Sequence, residues 1–341
     1  MQRRSRAGGL LLAAALIPVI AGCAAVRARV PGLGPPAFTE DAFGWKKFPT
    51  YRTSPEETVI GEMRSHRIRD GETLLDVARY YDLGYNEIVE ANPGVDPFIP
   101  PVGADVVVPT EWVLPCCTYE GIVVNIPEMR LYHFHGARDG GRATLVDTYP
   151  VGLGRDDRRT PRGTFQVIAK TVNPRWNVPE SIRQEHIRER GDDRRFIAGG
   201  DPDNPLGKYR LQLTQRLYGI HGTDTPWGVG MQVTHGCVRL YPEDIERLFP
   251  LVPIGTPVEF TYQPVKAGTR RGVVYVEAHR DIYRYSRSLA SAARGALARQ
   301  SFDGRVDRRL LRGALESAAG LPVRVSADDV VARRQGVSAT R

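Results

Sequence analysis

Apolar and polar positions alternate in short bursts through the middle of this chain. GIVVNIP (121–127) and MRLYHFH (129–135) flank a short turn, and the same patterning returns at TLVDTYPVG, GTFQVIAK, YRLQLT, YGIHG, THGCVRL and TPVEFTY, the last ending at Tyr262. So many short strands predict a mainly β domain of the sandwich or barrel kind. Upstream, the stretch beginning at His66 reads as strand, helix, helix, strand. Leu74, Ala78 and Tyr81 repeat at helical spacing behind a Thr73/Asp76 capping box, Gly84 is placed to end that helix, and Val106 to Val108 supply a β-branched strand. A further helix, PEDIERLF, follows the cysteine strand, with Pro242 in its first turn and Glu243 and Asp244 facing the positive end of the dipole.

Three stretches lack a strand pattern. Residues 173–208 carry no strand signal over more than thirty positions, long for an idle loop, and are expected to cap a neighbouring site, with a helix over 180–190. Residues 24–64 contain PGLGPP and little periodicity, which suits a tether. The amino terminus is a basic stub followed by GGLLLAAALIPVIAGC, an export signal shorter than the ~20 apolar residues of a spanning helix. The expected organisation is a signal segment 1–22, a linker 23–64, a small α+β module 65–111, a β-rich domain 118–263 and a carboxy-terminal extension 264–341, whose LLRGALESAA is expected to be a helix packed on that domain.

The hydrophobic fraction of 41% supports globular cores in a chain of 341 residues. The formal charge of +8 is uneven: residues 264–341 carry 16 Lys or Arg against 7 Asp or Glu, leaving residues 23–263 acidic. On an exported protein such a tail either meets an anionic wall or membrane surface or is simply solvated, and export excludes nucleic acid as a partner. Cys23, Cys116, Cys117 and Cys237 do not form a disulfide framework. The adjacent pair is either a strained vicinal disulfide or two plain thiols.

The chemistry concentrates in HGTDTPWGVGMQVTHGCVRL, residues 221–240. A free thiol titrates near ~8.5 and needs an imidazole or backbone dipoles to become a good nucleophile. Cys237 has two candidate partners, His235, which would share its face of a strand at i and i+2, and His221, which would reach it from a neighbouring segment. Gly236 leaves the backbone free to approach a substrate. The three side chains could also ligate a metal, but no fourth ligand is spaced to join them, so neither a metal nor another cofactor is expected. His66, His133, His135, His186 and His279 lack comparable partners.

His-Gly followed, after a spacer, by Thr-His-Gly-Cys-Val-Arg resembles the signature of L,D-transpeptidase catalytic domains, the YkuD family. The resemblance implies Cys237 as nucleophile, His221 as base, the Gly222 carbonyl as orienter of the imidazole, and Thr234, His235 and Gly236 as the supporting shell. Amides around Gly236 and Cys237 are then the oxyanion donors, and Arg239 either meets a substrate carboxylate or braces the strand. The family usually has Ser at Thr234, an exchange that keeps the hydroxyl. It also implies a substrate, the tetrapeptide stem of peptidoglycan, cut after diaminopimelate and joined to another stem, to a lysine of an outer-membrane lipoprotein, or to water.

Residues 65–111, with Asp-Gly-Glu-Thr-Leu and Asn92-Pro93-Gly94, resemble a LysM module, a βααβ binder of N-acetylglucosamine glycans. VDPFIPPVGADVVVP resembles the form found in the ErfK/YbiS group of the family. Pro174, Trp176, Pro179 and Asp203–Gly207 fit that group's segment beside the cleft, where Trp176 is either an aromatic wall for substrate or a surface ring packed on the 180–190 helix. Ile20-Ala21-Gly22-Cys23 resembles a lipobox, implying a lipid on Cys23, a membrane anchor and a periplasmic site facing the wall. The rival class is a wall-anchoring protein without catalysis, and intact Cys237 and His221 weigh against it.

Overall fold

A computed structural model describes residues 49–116, 118–136 and 144–326. The signal segment, Cys23, Cys117 and the end of the basic tail lie outside the described residues. The short strands form one hydrogen-bonded ladder of nine, in the order Tyr51–Thr53, Thr144–Pro150, Arg130–His135, Gly121–Asn125, Pro257–Thr261, Gly163–Val172, Tyr209–Leu213, Gly219–His221 and Val238–Arg239. Two neighbouring pairs are parallel, Gly121–Asn125 with Pro257–Thr261 and Gly219–His221 with Val238–Arg239.

The central strands are buried on both faces, not half-buried as their alternation suggests. Ile122, Val124 and Leu131 join a core with Ile220, Val238 and the helix Pro242–Leu251, which contributes Ile245 and Leu248. Their alternate neighbours Val123, Tyr132 and Phe134 point the other way into a second core. That core is completed by the small module, whose Leu74, Val77, Leu83, Ile88 and Val108 are all buried. Successive residues of a strand face opposite sides, so a sheet covered twice reads as a nearly continuous apolar run.

The module is strand Arg64–Arg67, helix α1 (Leu74–Tyr80), helix α2 (Tyr85–Ala91) and strand Asp105–Val108, with the two strands paired antiparallel. The Thr73 hydroxyl accepts the Asp76 amide and the Asp76 carboxylate accepts that of Thr73, closing the expected capping box. Gly84 does not end α1. Asp82, at φ +58°, takes the left-handed position there, and Gly84 instead begins α2 with its amide donated to Glu87.

The expected tether is also shorter than residues 23–64. Tyr51–Thr53 pairs with the edge of the large sheet and Val59–Gly61 pairs with Glu111–Val113. These segments are too short for their periodicity to show, and partners distant in sequence supply their hydrogen bonds.

Beyond the sheet, Val265–Arg270 and Val273–Ala278 form a hairpin whose turn residues Arg271 and Gly272 both have positive φ, the conformation that suits a two-residue β-turn. Val323–Arg324 adds a third strand. The helices Leu289–Arg299 and Arg308–Ser317 pack on it through Leu297, Ala293, Leu311 and Leu315, so the basic extension has a core of its own. Lys266, fully buried on the hairpin, bridges Glu128 at 2.7 Å and Glu277 at 2.8 Å, and His279 lies against Glu277 at 2.6 Å.

Candidate active site

The parallel pairing of the last two strands sets the geometry. Ile220 faces Val238 and His221 faces Arg239; one residue before this paired stretch, Cys237 meets Gly219, whose amide bonds the sulfur. His221 and Cys237 therefore project from one face, offset by two residues or about 6.6 Å along the strand. His235 and Cys237 do not lie in one strand. The strand Gln232–Thr234 stops before His235 and the next begins at Val238, because Gly236 turns the chain at φ +109°. A Cβ at Gly236 would lie 2.5 Å from the Tyr218 ring, so no other residue fits the turn.

Thr234 ties the loop. Its buried hydroxyl donates to the Cys237 carbonyl at 2.8 Å and accepts the Gly236 amide at 3.0 Å. The Gly236 amide, expected to face an oxyanion, is thus engaged within the loop.

His221 is buried, and its Nδ1 donates to the Gly222 carbonyl at 2.7 Å. That bond leaves Nε2 with its lone pair. Burial pushes the imidazole pKa down to about 3; the charges of Arg239 and Arg210 push the same way, and the Gly222 carbonyl only partly opposes them. The ring is neutral at physiological pH. Burial also pushes the Cys237 thiol up, against the Gly219 amide, which donates to the sulfur, and the charges of Arg210 and Arg239. The thiol donates to the Leu217 carbonyl at 3.6 Å. The resting pair is thiol and neutral imidazole, a nucleophile and a base with one proton to exchange.

His235 turns to the long insertion instead. Its Nε2 lies 3.1 Å from Glu185 of the helix Glu180–Arg190, and Arg155 binds the same carboxylate at 3.2 Å. Trp176 packs on this helix too, its ring 5.9 Å from that of His186.

The small module buttresses the segment joining His221 to Cys237. The amides of Tyr85 and Asn86 donate to the carbonyls of Val229 and Gly230 at 3.1 and 3.3 Å. A Cβ at Gly84 would lie 2.8 Å from the Gly230 Cα, and Gly230, at φ +80°, has no room for one against the Tyr85 amide. Arg79 grips Glu243 with two bonds of 2.9 Å, and the Tyr241 hydroxyl donates to the Leu83 carbonyl.

Among the described residues, two groups have metal-ligating side chains close together, and neither includes Cys237. Lys266 fills the group of Glu128, Glu277 and His279. In the group of His133, His135 and Asp147, His135 pairs with Asp147 at 2.9 Å and Arg247 lies 3.7 Å from the same carboxylate.

Sequence reasoning missed Arg210, Gly219, Leu217 and Glu185. Arg210 carried one signal, a charge alternating with the inward Leu211 and Leu213 in a strand just upstream of the His-Gly pair.

Residues 120–260 match the family model for the YkuD L,D-transpeptidase catalytic domain. The probable L,D-transpeptidase YbiS of Escherichia coli K12 is 36% identical over 278 residues, covering 79% of this chain and 89% of its own. The probable L,D-transpeptidase ErfK/SrfK of Salmonella typhimurium LT2 is 36% identical over 289 residues, 82% of this chain and 91% of that one. The probable L,D-transpeptidase YcfS of E. coli K12 is 34% identical over 230 residues, 66% and 70% of the two chains.

Proposed function

The chain belongs to the YkuD family and is a cysteine-dependent L,D-transpeptidase, and we propose that Cys237 and His221 carry its reaction on peptidoglycan stem peptides. The observation that carries this reading is the Nδ1 bond from His221 to Gly222, which leaves Nε2 unprotonated on the face that also bears the sulfur.

His221 Nε2 takes the thiol proton as Sγ attacks the carbonyl of the third stem residue. The new C–S bond forms, the amide C–N bond breaks, and the proton leaves on the amine of the fourth residue. In the second step an acceptor amine gives its proton to Nε2 and attacks the thioester carbonyl. The C–N bond forms, the C–S bond breaks, and the thiol recovers its proton. The Cys237 amide is the oxyanion donor, since Thr234 occupies that of Gly236; such a donor contributes about 3 kcal/mol.

The acceptor is an amine of a second stem, giving a 3-3 cross-link, or a lysine of an outer-membrane lipoprotein. The βααβ topology of residues 64–108 supports a LysM role in holding wall glycan. The export segment and Cys23 support a lipid-anchored periplasmic enzyme.

Incubation with a tetrapeptide stem should add one acyl group to the intact protein, on Cys237, and release D-alanine. Cys237→Ala should show no adduct, and His221→Ala should turn over at least ~100-fold more slowly. Either variant keeping a tenth of wild-type turnover would remove the assigned pair. Muropeptide profiles of cells with and without the gene identify the acceptor.

A further inference from the structure

Two guanidiniums flank the catalytic imidazole, and among the described residues neither has a carboxylate within ion-pair distance; only the charge of Asp224 acts on Arg239, from further off. Arg210 is in register with His221 on the strand before it, and Arg239 is in register with His221 on the strand after it. The three side chains form one row across three strands, on the face that carries Cys237. The Nε of Arg210 and the Nε of Arg239 are both buried without a hydrogen-bond partner. Gly219 makes the space for Arg210: a Cβ there would lie 3.1 Å from the Arg210 Nε, beside the sulfur that the Gly219 amide binds.

Other guanidiniums at the site and its seams are matched. Arg130 has Glu87, Arg79 has Glu243 and Arg155 has Glu185. A half-buried cation without a bonded counter-ion is costly. An anionic ligand between the two guanidiniums removes that cost. It also offsets the two charges that add to burial in holding His221 down.

We propose that Arg210 and Arg239 form a two-point carboxylate subsite around His221, with Arg210 a specificity-determining residue for the acyl donor. Guanidinium is suited to this task because its planar fork matches a carboxylate with two parallel bonds. The proposal rests on the stem-peptide reading, which offers two carboxylates near the scissile carbonyl: that of the leaving fourth residue and that on the side chain of the third.

Three donors separate the sources in the full-length protein: the tetrapeptide with both carboxylates free, the same peptide with a carboxy-terminal amide, and the same peptide with the third side-chain carboxyl amidated. With the first donor, Arg210→Gln should raise KM about 10- to 100-fold, the range of a charge-assisted hydrogen bond, with kcat within about 3-fold. On the donor lacking the matching carboxylate the same substitution should be nearly silent, and Arg210→Lys should restore part of the loss. The alkylation rate of Cys237 by uncharged iodoacetamide reads the nucleophile separately and should move far less than KM. Equal loss on all three donors, or alkylation slowed as much as turnover, would overturn the subsite. If the wild type turns over none of the donors, the stem-peptide reading fails instead. Calorimetric binding of the same peptides to Cys237→Ala, with and without Arg210→Gln, then decides the subsite alone, and equal or absent binding throughout counts against it.

Discussion

Glu185 lies 3.1 Å from Nε2 of His235 and so fastens the long insertion to the residue that precedes Gly236 and Cys237. The hydrogen bond from His235, with help from Arg155 and against burial, holds the Glu185 carboxyl at about 2. The carboxylate is ionised throughout the working range, and the helix Glu180–Arg190 is a brace for the catalytic loop.

Glu185→Ala should release this brace. The pair is partly solvent-exposed, so global stability should change by less than about 1 kcal/mol. Loop placement matters more, and kcat/KM should fall about 10-fold, because small misplacements of reacting groups are expensive. Steady-state kinetics beside a thermal melt separate the two effects, and an unchanged kcat/KM would show the contact to be idle.

The thiol of Cys237 is raised by burial, so the resting enzyme holds little thiolate at neutral pH. Its alkylation by iodoacetamide should climb with pH through a midpoint above the ordinary thiol value. Since His221 stays neutral down to about 3, this curve should have no second step between pH 5 and 8. A thiolate already formed at pH 6 would contradict the neutral pair.

At the loop, Gly236→Ala should abolish turnover, since it meets both a left-handed φ and the Tyr218 ring. Thr234→Ser keeps the hydroxyl bonds to Cys237 and Gly236 and should stay within a few-fold of wild type, whereas Thr234→Val should lose at least ~10-fold, since it frees a buried amide and carbonyl. Equal activity of the Ser and Val forms would remove Thr234 from the loop's support.

Lys266→Met leaves Glu128 and Glu277 buried without their shared cation and should cost about 3–5 kcal/mol in denaturant unfolding. Burial alone would lower the pKa of neighbouring His279, but its bond to Glu277 and the charges of Glu277 and Glu128 override that and raise it. Protonated His279 thus contributes stability that is full below the ordinary imidazole value and is lost as pH rises through the higher folded value. Unfolding free energy should decline across that window, and His279→Gln should flatten the decline.

Much of this was legible in the chain. The β segments other than THGCVRL, the Pro242 helix, the Thr73 cap and the residues of the His-Gly and Thr-His-Gly-Cys motifs follow from local patterning. What local patterning could not reveal depends on partners distant in sequence. Tyr51–Thr53 is a strand only because Thr144–Pro150 offers an edge, and Val123 is buried on its outward face only because the small module covers it. Arg210 is marked as part of the site only by the register that sets it beside His221. At i and i+2 His235 and Cys237 would share a face of one strand, and the positive φ of Gly236 that breaks this strand cannot be read from its neighbours.

The seam where Gly84 meets Gly230 turns the molecule into a caliper. A binding module on a flexible linker enriches its enzyme over a broad sphere, diluting the effect with the volume swept. Here the module's backbone is bonded to the segment between His221 and Cys237 itself, so under the proposed glycan role a strand held on the module would stand at one fixed span and bearing from the sulfur. Stems whose spacing and helical phase along the glycan match that span would be presented to Cys237, and others on the same strand passed over. Selection among identical peptides would then be a matter of position along the wall.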